Sequence, residues 1–554
     1  MRTPIGRSPS APARSKLLLA APVAAALLFT PSAHASSVLE FPDNGSEQMA
    51  RGGAWIARAS DPLAAFYNPA GLAGQQTGLT LQANISIAHR CFRRTYAQSD
   101  TTLDPLAGAA TGNYAYPKVC AEDTPFPNPQ IGFNWRLTDK IGLGLVLLGP
   151  SAVGKAKWPE FVDNKPSPQR YLLIDADLLF LTPTIGAGFE VADNIRIGAS
   201  FQWGIAARVH FSNASMAVNQ NTSDPTTNDV RAQIDAKQIF VPGFTLGGLW
   251  SATDNIDLAA WYKWSAPIDA KGDVTTYVPY FTNKVANGDL HGVQMGDSSL
   301  PNCGDPNVKD NRCGNGDNGN IKVNIPMEAK LGVRYHQPRA GAPQKKHVRD
   351  PMSQDLYDVE LNLTWANNSV FDNVTLRFPA DANGNGIIPI HGITGGTVPP
   401  NADVAHNFKD VFGVRVGGDY NVLPDQLAIR GGAFFETRAQ DPQYQNIDLM
   451  GAERFGLALG GTYRLRMGPE KKNALEFSLG YGHIFVGTLS NNQVNGQGIP
   501  ALAGTPCVNG QPANGQCTNT NGTTTQAYRS IWPVNLGTIT NSINVINVGA
   551  TYRF

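Results

Sequence analysis

Ile195-Arg196-Ile197-Gly198-Ala199-Ser200-Phe201-Gln202-Trp203-Gly204-Ile205-Ala206-Ala207-Arg208-Val209-His210-Phe211 is the stretch that decides the fold. Its odd positions are apolar from Ile195 to Phe211, and its even positions hold Arg196, Ser200, Gln202, Arg208 and His210. A period of two sends the charges to one face and the apolar side chains to the other, as in a β-strand between two unlike environments. The run is far longer than the usual globular strand of about five or six residues. A tilted strand that crosses a bilayer needs about 9–11.

The pattern returns along the chain. In Ile321 to His336 one face carries Ile321, Val323, Leu331, Val333 and Tyr335, the other Lys322, Glu328, Lys330, Arg334 and His336. In Tyr357 to Trp365 the polar face is Asp358, Glu360, Asn362 and Thr364. Fourteen such segments fall near 77–92, 128–138, 141–149, 171–190, 195–211, 239–251, 256–265, 321–337, 355–365, 409–420, 427–436, 454–465, 474–486 and 542–554. Short turns such as Thr138-Asp139-Lys140 alternate with long connections at 93–127, 212–238, 266–320, 366–408 and 487–541. Outer-membrane barrels have this asymmetry of tight periplasmic turns and extended surface loops. The expectation is an all-β protein, a 14-stranded antiparallel transmembrane β-barrel over 77–554. One connection breaks the rule: 338–354 should be periplasmic, yet it is long and basic. Trp135, Trp264, Trp365, Tyr335, Tyr420, Tyr463 and Tyr552 lie near strand ends, as interfacial aromatic girdles require. The chain ends on an alternating strand closed by Phe554. That resembles the terminal signature read by the barrel-assembly machinery, a partner the resemblance implies, along with outer-membrane lipid and lipopolysaccharide.

Residues 1–35 read as an export signal. Arg2, Arg7, Arg14 and Lys16 precede an apolar Leu17–Phe29 run and an Ala33-His34-Ala35 cleavage site. Mean hydropathy is −0.22, which a large secreted protein would also show, but a barrel with a wet interior averages to the same value. With 44 basic and 44 acidic residues the net charge is zero, which argues against a nucleic-acid partner. Six cysteines form three local pairs, Cys91 with Cys120, Cys303 with Cys313 and Cys507 with Cys517. In an oxidising compartment these read as disulfides rather than metal ligands, since no CxxC spacing or neighbouring His cluster accompanies them.

Fourteen strands enclose more space than side chains can fill. The segment Ser36 to Gln76 carries Leu39, Phe41, Met49, Trp55, Ile56, Leu63, Phe66 and Tyr67 without a strand period. It is expected to fill the lumen as a plug over 36–76. Within it, Arg51-Gly52-Gly53-Ala54-Trp55-Ile56-Ala57-Arg58-Ala59-Ser60-Asp61 and Phe66-Tyr67-Asn68-Pro69-Ala70-Gly71-Leu72-Ala73 resemble the N-terminal hatch of the FadL/TodX outer-membrane transporters. Asn68, Pro69, Ala70 and Gly71 are the most specific part of the likeness. Asp410 to Tyr420 and Leu427 to Ala433 resemble the family's tenth and eleventh strands.

The resemblance implies uptake of hydrophobic small molecules, long-chain fatty acids first and aromatic hydrocarbons as the alternative, and it should be passive because nothing in the sequence resembles an energy-coupling motif. The resemblance also implies a pocket beneath the plug and lateral release beside a kink in the third strand. Gly149-Pro150 follows Ile141–Leu148, where Pro removes a ladder donor, so pairing should break there or the strand simply end. Candidate pocket residues are Phe41, Met49, Trp55, Phe66, Phe180, Trp261 and Phe434. Arg415 and Arg430, with Lys322, Lys330 and Arg334, either meet a carboxylate or join Glu328, Asp358, Glu360, Asp419 and Glu436 in an interior ion-pair ladder.

Little points to catalysis or a cofactor. Gly149 to Lys155 resembles a phosphate-binding loop, but Ala156 stands where a Ser or Thr would hold magnesium. No GxSxG or HExxH occurs, and the nine His are scattered. A hydrolase built around His210 or His483, or a surface receptor or adhesin with disulfide-bonded loops, is the competing expectation.

Overall fold

The computed structural model describes residues 44–95, 116–150, 155–163, 165–215, 230–277, 319–342, 347–387, 400–469, 472–491, 516–518, 524–526 and 534–554. The export signal, Phe41, Cys303, Cys313 and Cys507 lie outside them, as does the side chain of Cys517.

Fourteen antiparallel strands close into one barrel. In chain order they begin with β1 (Gly78–Arg94), β2 (Phe126–Arg136) and β3 (Ile141–Leu147, resuming at Lys155–Lys157). Next come β4 (Asp175–Leu181 and Thr184–Ala192), β5 (Ile195–Ser215) and β6 (Val230–Ser251). β7 is Ile256–Ser265 with Ile268–Tyr277, β8 Gly319–Val323 with Glu328–Pro338, and β9 Asp355–Ala366 with Asn373–Arg377. β10 is Asn401–Ala405 with Val411–Leu423; β11 to β14 are Leu427–Glu436, Arg454–Met467, Asn473–Asn491 and Gly537–Arg553. β14 closes the cylinder on β1, in register from Gly78↔Arg553 to Arg94↔Gly537. Every expected strand is present, and several run further outward than expected. Residues 230–238, 268–277, 373–377, 401–405, 487–491 and 537–541 are strand where loop was expected.

Those extensions reverse the alternation. In the membrane-facing half, Leu145, Ile185, Ile197, Phe201, Leu246, Leu331, Leu361, Val414, Leu459 and Leu479 stand exposed on the outer surface. Such a belt around the whole circumference is stable only against lipid. Trp135, Tyr335, Tyr420 and Tyr463 are exposed on it as well. In the outer half the apolar residues turn inward: Ile268, Ala270 and Val274 are buried while Asp269, Lys271 and Asp273 face solvent. Water now bathes the outside, so the favourable phase is the opposite one.

Irregularities perform the reversal, and they correct two expectations. β5 shifts register between Gly204 and Val209, so Val209 is buried and Arg208 exposed, and the charges of Ile195–Phe211 do not share one face. In β8 the pairing lapses between Val323 and Glu328, around Pro326. Ile321 and Val323 are buried, although Leu331 and Val333 of the same parity face out. Lys322 is therefore exposed rather than inward.

Inside the bore lies the segment from Asn44, with α1 (Ser46–Ala50), α2 (Ala64–Tyr67) and a 3-10 turn at Pro69–Gly74, nearly all of it buried. Inward glycines let it lie flat against the wall. A methyl group on Gly142, Gly188 or Gly198 would overlap the Pro69–Leu72 backbone, and one on Gly417 or Gly432 would overlap Arg51. Asn68 fixes the turn: its Oδ1 accepts from Ala70 N–H at 3.2 Å, and its Nδ2 donates to the Ile56 carbonyl at 2.8 Å.

Candidate functional site

Charged side chains at membrane level form the interior ladder. Arg51 Nη1 lies 2.6 Å from both Asp358 and Asp419, and its Nη2 3.5 Å from Glu360. Arg58 pairs with the same Asp358 and Asp419, and Arg334 with Asp257, Asp355 and Asp358. Glu360 also accepts from the backbone N–H groups of Ala57 and Arg58 at 2.8 and 3.1 Å. Among the cations that could either meet a ligand carboxylate or join the ladder, Arg415 Nη2 is 2.9 Å from Glu436, and Arg430 Nη2 is 3.2 Å from Asp419. Lys330 lies over the Trp261 and Tyr67 rings at 4.8 and 5.7 Å. Full burial makes such charges costly unless each is matched, and here they are matched in a connected set.

The aromatic candidates do not converge. Trp55, Phe66 and Trp261 share a cluster with Tyr67, Val146 and Leu148. Met49 and Phe434 pack with Ile484 and Val545. Phe180 belongs to a third cluster, in the outer half with Ala206, Val209, Ile321 and Val323.

Beside that third cluster the barrel encloses a cavity of about 210 Å3. Phe126, Leu178, Val209, Phe211, Ile321, Val323, Ile447, Met450 and Ile543 line it, with Arg90, Asp123, Lys155, His210 and Asp448 among them. Arg90 is held by Asp123 through two bonds of 2.7 and 2.6 Å. Asp448 accepts from His406 at 3.0 Å. Lys155 makes no ion pair among the described residues and is exposed. Of the residues chosen as pocket lining, none of the described ones lines this chamber, whereas His210, considered for hydrolysis, does. The signal that could have found it is the reversed alternation in 268–274 and across 321–333, which marks where apolar side chains turn inward.

The wall beside the cavity is broken. β2 pairs with β1 along Phe126–Asn134, but with β3 only from Ile131 onward, because β3 leaves the sheet after Leu147. It resumes at Lys155–Lys157 against Asp175–Asp177 of β4. Backbone released this way must find other partners. The Gly149 carbonyl accepts from Asn44 Nδ2 at 2.6 Å and Asn128 Nδ2 at 3.1 Å, and the Pro150 carbonyl from Asn128 Nδ2 at 3.1 Å. Thr182 N–H donates to the Leu148 carbonyl at 2.7 Å. Gly149 packs so closely on the Phe180 carbonyl that a side chain would not fit. Above the break, Cys91 and Cys120 are joined by a disulfide that ties β1 to the following loop. His210 contacts Asp175 and, at 2.7 Å, Asp235; His483 contacts Asn544 at 2.9 Å.

Residues 25–511 match the family described as "Outer membrane protein transport protein (OMPP1/FadL/TodX)". No curated protein matches the sequence. The crystal structure of a Pseudomonas aeruginosa FadL homologue superposes with a TM-score of 0.62 at 17% identity, over 93% of this chain and 99% of that one. That of the Pseudomonas putida toluene transporter TodX gives 0.52 at 14% identity, over 93% and 99%. At these identities the two structures speak for the fold alone.

Proposed function

Because the chain belongs to the OMPP1/FadL/TodX family of outer-membrane transport proteins, we propose that it is a passive channel through which hydrophobic small molecules reach the outer cavity and leave sideways at the β3 break. One juxtaposition carries this reading. The apolar chamber abuts Phe126, where β2 has lost its partner on the β3 side. An apolar solute gains about 25 cal/mol for each Å2 removed from water, and it surrenders little on passing from such a chamber into lipid. Residues 44–76 act as the hatch: they fill the bore, and Asn44 holds the carbonyl freed by the kink. Affinity in the chamber, with consumption inside the cell, sets the direction.

Long-chain fatty acids are the substrate class we favour. Their carboxylate needs a cation, and with Arg415 and Arg430 engaged by Glu436 and Asp419 that role passes to Lys155 at the rim. Aromatic hydrocarbons are the second reading, favoured by the mutual neutralisation of Arg90 and Asp123. Leu178→Arg, placing charge in the chamber, is expected to abolish uptake of both oleate and toluene while the barrel still assembles. Lys155→Glu should weaken oleate uptake by about tenfold, the worth of one charge-assisted bond, and leave toluene uptake unchanged. Equal entry of both solutes into cells lacking the protein would sink the reading.

A further inference from the structure

The connection between β8 and β9 is the one that broke the loop-length rule, and the channel reading leaves its length unused. Its residues 347–354 fold back under the barrel mouth instead of hanging free. On one side His347 pairs with Glu190 of β4, and Arg136 of β2 donates to the His347 carbonyl at 3.1 Å. On the other, Asp350 receives Arg464 of β12 at 2.8 and 2.9 Å, and Arg466 at 3.3 Å. β4 and β12 stand nearly opposite in a ring of fourteen strands, so the segment crosses the bore. Between these anchors, Arg349 N–H donates to the Gly74 carbonyl at 2.7 Å. Its guanidinium reaches Asp257 of β7 at 2.6 Å and the Ala57 carbonyl at 3.2 Å. Two further bonds run to β10 and its turn: Asn421 Nδ2 to the Pro351 carbonyl at 3.0 Å, and Asp425 N–H to the Met352 carbonyl at 3.0 Å.

We propose that residues 347–354 are a strap closing the periplasmic end of the channel, with Arg349 and Asp350 as the positioning residues that hold it and the inner segment in place. A floor there has a purpose in the lateral route, on which this inference rests. Beside the strap, among the short turns at 193–194 and 252–254, lies an open cavity of about 420 Å3 that Arg196, Asp257, Arg334, His336 and Arg349 also line. Such a vestibule repels an apolar solute but admits water and ions as far as the strap and the inner segment. By bracing the inner segment at Gly74 and Ala57, the strap keeps the aqueous path shut and leaves the wall opening as the exit. Burial alone would raise the Asp350 carboxyl, but the guanidiniums of Arg464, Arg553 and Arg466 hold it well below the usual carboxylate range.

The test is conductance of the purified full-length barrel in planar lipid bilayers, beside oleate uptake by cells. The wild type should be nearly silent. Arg349→Ala combined with Asp350→Ala should raise conductance by about tenfold toward that of an open barrel, with oleate uptake retained, and Asp350→Glu alone should stay closed. Assembly is read from heat-modifiable migration. Should the double variant not assemble, Asp350→Asn, which keeps the shape and removes the charge, carries the same expectation. A porin-sized current in the wild type, or an assembled variant as silent as the wild type, overturns the strap. Loss of oleate transport in the wild type would count against the lateral route instead, because conductance does not depend on it.

Discussion

The two halves of this barrel use one period with opposite phase. At membrane level Leu459 and Leu479 face out, and Arg51, Arg334, Asp358 and Glu360 fill the bore. In the outer half Asp269, Lys271 and Asp273 face out, and Ile268, Val274, Ile321 and Val323 face in. The backbone is the same twisted ladder throughout, and the surrounding solvent decides which face is greasy. The comparison teaches that an apolar chamber in such a protein belongs where the phase turns over, at the outer edge of the lipid belt, where Leu179, Ile239 and Phe240 still face outward and apolar side chains begin to turn in.

The largest expected effect comes from breaking the buried ladder. Asp358 meets Arg51, Arg58 and Arg334 at once, so Asp358→Ala should destabilise the barrel by about 3–5 kcal/mol. Denaturant unfolding in detergent measures this, and a loss under about 1 kcal/mol, typical of surface pairs, would mean the ladder is not coupled. Next comes the phase itself. Leu459→Arg on the membrane-level exterior should cost about 2–4 kcal/mol in lipid, whereas Lys271→Leu on the outer-half exterior should fall within about 0.5 kcal/mol of wild type. Similar costs at the two sites would erase the distinction between the halves.

A pH-dependent effect lies in the inner segment, at Asp61, which belongs to no spanning strand. Burial, and then the charge of Glu47, raise its carboxyl from 3.8 to about 7. Between those values the folded protein keeps a proton that the unfolded chain has lost, so stability falls as pH rises through that window and is flat above it. Asp61→Asn cannot ionise. It should raise the melting temperature at about pH 8, with an advantage that fades toward about pH 4. An advantage independent of pH would show that Asp61 is already charged in the fold.

The strand pattern was legible wherever one face met lipid. Ile256–Ser265 and Leu427–Glu436 have the bounds expected for them, because alternation there is uninterrupted. It was illegible where a register shift intervened. Ile321 and Leu331 have the same parity, yet the lapse between Val323 and Glu328 puts them on opposite faces, and no count by twos can see it. The cavity shared that fate. Phe126, Leu178, Val209, Ile321 and Ile543 come from five strands, and each taken alone reads as an ordinary strand residue. The ladder was half visible: Asp358, Glu360 and Asp419 were recognisable as inward charges, but their partners Arg51 and Arg58 lie hundreds of residues away in the inner segment.

By itself the sequence determined that this chain is a closed membrane-crossing cylinder, because period-two alternation is a local property that each strand carries within its own residues. Only the tertiary structure decided where the phase turns over, which charges meet, and that residues 347–354 bond to the inner segment and to β2, β4, β7, β10 and β12. Those depend on bulges, pairing lapses and contacts between distant segments, and a single misplaced register reverses every side chain beyond it.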